Sequence, residues 1–190
     1  MIELLHKVES SLIELLYKNA GNIKTMYIDY HKPYVSRIWF YDKELDCRIF
    51  LHKIETCNEP KEALYHPHKW DSAIRIVNGQ YEMGVGHSVT NETPVTDCKL
   101  FLKRGSSYEM TEKDGWHYVA PIGGCVYTLM VIPNKLNGRE MPIEPDKKFR
   151  KLFRYEVQDI LYTFRENDLC YRDLDVPLLV GQILDLQEAA

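Results

Sequence analysis

Apolar positions along the chain follow two rhythms. Over the first twenty residues Leu5, Val8, Leu12, Leu15 and Leu16 recur at helical spacing, and Gly21 is a stop signal, so the pattern predicts an amphipathic helix over 1–20. From about residue 25 the period shortens. The runs TMYIDY, SRIWFYD and CRIFLHKIE are short, rich in Ile, Tyr, Phe and Trp, and parted by polar or Pro-containing turns, which is the texture of strands. SAIRIVNGQYEMGVG reads as a hairpin turning at Asn78-Gly79. CKLFLKRG, SSYEMT, GWHYVAP and CVYTLMVIP carry the same texture to Pro133. Strands at this spacing predict a mainly β sandwich or barrel over 25–135.

The helical rhythm returns after NKLNGREMPIEPD. Phe149, Leu152, Phe153, Val157, Ile160, Leu161 and Phe164 trace one stripe, with Lys147, Lys148, Arg150, Lys151 and Arg154 mostly off it. VPLLVGQILDLQ adds a short helix after Pro177. The stripe is most simply a face that packs on the barrel; a homodimer contact is the alternative. The organisation expected is one domain over 1–190, with a helix over 1–20, a barrel over 25–135 and a helical segment over 146–190.

Composition narrows the classes. A chain of 190 residues, 45% hydrophobic and 27% charged, has the balance of a soluble globular protein with a sizeable core. A net charge of -4 argues against a nucleic-acid partner, which asks for a basic patch. Cys47, Cys57, Cys98, Cys125 and Cys170 are odd in number and scattered, a pattern of reduced thiols rather than of a disulfide framework. Glu3, Glu9 and Glu14 interrupt the N-terminal apolar residues, so that segment reads neither as a signal peptide nor as a membrane span. The expected location is the cytoplasm.

Candidate chemistry centres on LYHPHKWDSAIRIVNG. If a strand begins at the histidines, His66 and His68 point to one face, and Trp70 and Ser72 share it. The pair is either solvated or satisfied by backbone carbonyls, or it is part of a metal site. His117, in KDGWHYVAP, changes that choice. Two histidines on one strand and one on a later strand can converge in a small barrel, supply three neutral nitrogens to one ion and leave positions open for substrate. His6, His31, His52 and His87 have no such company in the sequence. On the last strand Cys125, Tyr127, Leu129 and Val131 share a face. A Tyr127 hydroxyl opposite the histidines could hydrogen-bond a bound oxygen or substrate; the alternative is a core tyrosine. Arg75 is the basic residue within an apolar strand. It could pair with a carboxylate substrate, or point outward. Glu109 in SSYEMT is a further carboxylate that nothing in the sequence fixes.

HPHKWDSAIRIVNG followed by KRGSSYEMTEKDGWHYVAP resembles the two signature motifs of the cupin superfamily. His66, His68 and Gly79 match the first motif, and Gly105, Gly115 and His117 match the second, over roughly Arg48 to Pro133. The resemblance implies a double-stranded β-helix, a jelly-roll barrel, here with a helix before it and a helical segment after it. The chain departs from the pattern twice. The place of the usual Glu ligand falls on Ser72 or Ala73, and Asp114-Gly115 replaces the Pro-x-Gly turn. The remaining three histidines are similar to those of the thiol dioxygenase branch, whose iron has three protein ligands. The resemblance thus implies a metal-dependent small-molecule oxidoreductase of the dioxygenase kind. It would hold a divalent ion, Fe(II) before Zn, Ni or Mn, on His66, His68 and His117, with Tyr127, Trp70 and Arg75 as candidate catalytic residues. Its partners would be a small-molecule substrate and a second copy, as cupins are often dimers. Two alternatives stay open. One is a metal-free isomerase or epimerase with His66 or His68 as general base. A sugar-nucleotide substrate would then want several Arg or Lys in the cavity, where Arg75 is the single candidate. The other is a non-catalytic cupin that binds a small ligand, which the missing Glu also fits.

Overall fold

A computed structural model describes residues 1–67, 70–90, 92–112, 114–134 and 149–188. The chain is mainly β, with helices at both ends, as the apolar rhythms predict. Among the described residues, helix α1 (Ile2–Lys18) leads into ten strands: β1 (Lys24–Ile28), β2 (Val35–Asp42), β3 (Cys47–Ile54), β4 (His66–Pro67), β5 (Ser72–Asn78), β6 (Gln80–His87), β7 (Cys98–Lys103), β8 (Ser107–Met110), β9 (Gly115–Pro121) and β10 (Val126–Pro133). Helices α2 (Arg154–Asn167) and α3 (Val176–Glu188) follow. The strands form two antiparallel sheets that face one another as a jelly roll. One has the order β1-β2-β3-β10-β5-β8 and the other β4-β9-β6-β7.

The six-stranded sheet is apolar on both faces, for two different reasons. Its outer face carries Ile38, Phe40, Ile49, Leu51, Ala73, Val77, Leu129 and Val131, which form one core cluster with Leu5, Val8, Leu12, Leu15 and Leu16 of α1 and with Val157, Ile160, Leu161 and Phe164 of α2. Burying each such side chain is worth on the order of 1.5–3 kcal/mol before conformational entropy is charged against it. The C-terminal stripe therefore packs on the chain's own sheet. It is helical only from Arg154; Phe149 precedes the helix and Arg150 instead bridges to Tyr27 of β1. The inner face of the same sheet looks toward the second sheet and lines a cavity.

Two expectations change. Asn78-Gly79 does turn, but β5 and β6 lie in different sheets, so the turn is a corner of the barrel rather than a hairpin. Gly79 has φ +84°, and a Cβ there would lie 2.7 Å from the Cys125 carbonyl oxygen, which leaves glycine as the residue that fits. The histidine segment is also not the head of β5. His66 and Pro67 form β4 at the edge of the four-stranded sheet, while Ser72 opens β5 in the other. Parity counted from His66 to Ser72 crosses from one sheet to the other.

Glu109 is placed as a cap. Its carboxylate accepts the Ile2 N–H at 3.1 Å and pairs with the Met1 amino group at 3.3 Å, which holds the N-terminus of α1 and keeps the carboxyl below its usual range. All five cysteines are free thiols. Among the described residues no helix is long and apolar enough to cross a membrane.

Candidate functional site

The space between the sheets is a cavity of about 600 Å³. Alternation decides what faces it. On β2 the odd positions Val35, Arg37 and Trp39 line it, on β3 the even positions Arg48, Phe50, His52 and Ile54, and on β10 the even positions Thr128, Met130 and Ile132. His66, His117, Trp70, Tyr81 and Tyr108 add to the polar and aromatic part of the wall, as do Tyr30, His31 and Phe149.

His66 and His117 are directly opposed in the β4–β9 register. Their Nε2 atoms are 3.1 Å apart, and the ring planes meet edge-on at 64°. The His66 Nδ1–H donates to the Leu64 carbonyl at 3.0 Å, which fixes the tautomer and leaves the Nε2 lone pair facing its partner. Burial, helped by the charge of His31 and opposed by the Leu64 carbonyl, holds His66 below the usual histidine range, so the ring is neutral. In the absence of a cation the contact is a hydrogen bond from the His117 Nε2–H to His66 Nε2. Two ligand nitrogens at this separation would subtend about 95° at an ion about 2.1 Å from each. The pair therefore fits adjacent ligand positions, once His117 moves its proton to Nδ1. His68, the third histidine of the motif, lies outside the described residues. Among those described, no cluster of three or more His, Cys, Asp or Glu surrounds one point.

A second polar group spans the opposite wall. Arg37, His52 and Thr128 are register partners on the adjacent strands β2, β3 and β10. The Arg37 Nε–H donates to His52 Nε2 at 2.9 Å, and His52 Nδ1 lies 3.3 Å from the Thr128 hydroxyl. Burial, with the Arg37 charge acting in the same direction, holds His52 well below the usual histidine range. Burial also pulls Arg37 down to about 10. Between the sheets the Tyr81 hydroxyl donates to the Tyr108 hydroxyl at 2.8 Å, and burial pushes Tyr108 up to about 12.

Of the candidate catalytic residues, only Trp70 lines the cavity. Tyr127 is on the outer face of β10, where its hydroxyl donates to Asp159 of α2 at 2.8 Å. Arg75 is on the outer face of β5, its Nε 2.7 Å from Glu9 of α1. Cys125 also packs at the outer core. The reason is common to all three. Because helices cover the outside of the six-stranded sheet, VYTLMVIP and SAIRIVN are apolar at both parities, and alternation alone does not say which parity is inside.

The cavity tyrosines are Tyr30, Tyr81 and Tyr108. Arg37, Arg48, His52 and Thr128 are inward polar groups that the motif reading passed over. Their signal is present as basic and aromatic residues sharing a parity in neighbouring strands, Arg37 with Trp39 and Arg48 with Phe50 and His52. Trp116, next to His117 and of opposite parity, stacks instead against Tyr65, with ring centroids 6.2 Å apart.

No family model matches the chain, and no curated protein matches it. Among solved structures it is similar to hydroxypropylphosphonic acid epoxidase from S. wedmorenis, at 12% identity and a TM-score of 0.43 over 57% of this chain and 55% of that one. It is also similar to the Fe(II) form of HppE, at 15% identity and a TM-score of 0.45 over 57% and 55%. A further similar structure is the Co(II) form of HppE in complex with substrate, at 14% identity and a TM-score of 0.41 over 55% and 56%. The chain thus matches about half the length of these structures.

Proposed function

We propose that this chain is a metal-dependent small-molecule oxidoreductase of the dioxygenase kind, with a divalent ion, Fe(II) first, held by His66, His68 and His117. The observation that carries the reading is the 3.1 Å approach of two imidazole Nε2 atoms on register partners inside a cavity of about 600 Å³. Bound Fe(II) would supply the redox chemistry that activates O2 toward an organic substrate. The chain's own residues supply the rest. The Leu64 carbonyl orients His66 and keeps its Nε2 unprotonated. Ile74, Val119, Met130 and Ile132 exclude water from the space in front of the histidines, and Trp70 gives the substrate a flat apolar wall. The Tyr81–Tyr108 hydroxyl pair offers a neutral polar group in that otherwise apolar wall.

The same contact favours a second reading, in which the His117–His66 hydrogen bond is the working state and the barrel is a metal-free isomerase or a small-ligand binder. Elemental analysis of protein purified without added metal, beside His66→Ala and His117→Ala, separates the two. The metal reading expects near-stoichiometric iron that either substitution removes while the thermal midpoint changes little, and oxygen uptake with a fitting substrate. Negligible metal in the parent protein, even after reconstitution with Fe(II), Zn(II) or Ni(II), refutes it and leaves the metal-free reading.

A further inference from the structure

The guanidinium of Arg37 lines the cavity with no carboxylate partner among the described residues. Its Nε–H donates to His52, a neutral acceptor that cannot offset the charge. The group lies over the Phe50 ring, with Cζ 5.1 Å from the centroid. Other arginines of the chain are paired, Arg75 with Glu9 and Arg150 with Glu156. An unpaired charge in an apolar enclosure is costly and is ordinarily neutralised or matched. Both Nη groups keep their N–H donors for something other than these protein acceptors, in the planar fork that fits two oxygens.

A second donor stands in the same wall. Trp39, two residues on and at the same parity of β2, is 6% exposed, and its indole N–H is buried without an acceptor among the described residues. Trp39 and Phe50 stack at 5.9 Å and 22°, so the donors sit beside a continuous aromatic surface.

We infer that the cavity takes a small organic monocarboxylate, its head group on the Arg37 fork and its apolar body along Trp39 and Phe50. The geometry of the free fork selects the class. The unpaired Arg37 fork, beside a neutral histidine, matches the two oxygens of one carboxylate, while Arg48, the other guanidinium of the wall, lies over the Trp39 ring with Cζ 5.6 Å from its centroid. The volume suits a small molecule rather than a peptide. That the acid is the substrate rests on the oxidoreductase reading above; that it binds does not need the metal.

The test is calorimetric and fluorescence titration of metal-free protein with phenylpropanoate, phenylpropanamide and phenylpropyl phosphate, with Trp39 and Trp70 as intrinsic reporters. A charge-assisted fork predicts that the acid binds about 10- to 100-fold more tightly than the amide. Arg37→Gln, which keeps a donor for His52, makes acid and amide equal; Arg37→Lys, which keeps the charge and loses the fork, retains a smaller preference. Thermal melts of both confirm that they fold. Because the titrations use metal-free protein, failure of the metal reading and failure of this one are separate results. Equal binding of acid and amide by the parent protein, no binding of the acid, a preference that survives Arg37→Gln, or tighter binding of the phosphate each overturns the inference.

Discussion

Comparing acid sensitivity with and without the His52 ring tests the inner wall, because the contribution of the histidine pair is common to both proteins. His52 is 6% exposed, accepts from Arg37 at 2.9 Å and is held neutral far below the usual histidine range, chiefly by burial. In the unfolded chain the same ring titrates near its ordinary value of about 6.5. Above that pH both states are neutral and His52 contributes no pH dependence. Below it the unfolded state takes up a proton that the folded state refuses, so stability falls as pH falls. Between about pH 7 and pH 5.5 the linkage integral amounts to about 1.3 kcal/mol for one such histidine. His52→Gln keeps an acceptor for Arg37 and a donor for Thr128 but cannot titrate. Urea unfolding of both proteins at the two pH values should show the parent losing about 1.3 kcal/mol more than the variant, roughly 0.6 M in midpoint at a slope near 2 kcal/mol/M. Parallel pH profiles would mean that His52 is protonated in the folded cavity, and the neutral Arg37–His52–Thr128 row would be wrong.

Two further substitutions test the placement of side chains. Tyr127→Phe removes the hydroxyl that donates to Asp159 at 2.8 Å; it should lower stability by about 1 kcal/mol in thermal or urea unfolding and leave metal content and carboxylate binding unchanged, whereas an effect on either would return Tyr127 to the cavity. Gly84→Ala sets a Cβ 2.0 Å from the ring of its register partner Tyr118, whose hydroxyl donates to Glu82 at 2.6 Å, and should cost about 1–3 kcal/mol of unfolding free energy, read as a lowered thermal midpoint; an unchanged midpoint would show that the ring does not lie over Gly84.

Most of the strand pattern was legible because its punctuation is local. Polar and Gly- or Pro-containing turns bound β2, β3 and β9 in the sequence much as they do in the fold, and α1 follows from Leu5, Val8, Leu12, Leu15 and Leu16 alone. Sheet membership was not legible. Asn78-Gly79 makes a tight turn in a hairpin or at a barrel corner alike, and only the long-range pairing of β5 with β10 decides between them. Facing was legible where one side of a strand is polar and lost where both sides are buried, as at Tyr127 and Arg75. Within the site, His66 and His117 could be read from motif spacing, and the register places them opposite each other. Arg37 and His52 could not be read that way, because they meet across two strands and belong to no sequential motif. His52 looked solitary because its partners, Arg37 and Thr128, are 15 and 76 residues away.

The strand order also dictates when the molecule can be completed. β10 is the last strand in sequence, yet it lies between β3 and β5 and pairs with both. Until it is inserted the six-stranded sheet exists as two pieces, each with an apolar edge open to pairing with other chains. Joining β10 to β3 brings Val126 opposite Ile54, closing a loop of about 70 residues at an entropic cost near 4 kcal/mol before the ladder returns anything. Thr128 reaches His52 only through this step, so the inner wall is assembled late and non-locally. A nascent chain that ends before residue 126 has the histidine strands but no closed wall behind them, and its open edges make it a species prone to aggregate rather than a smaller functional barrel.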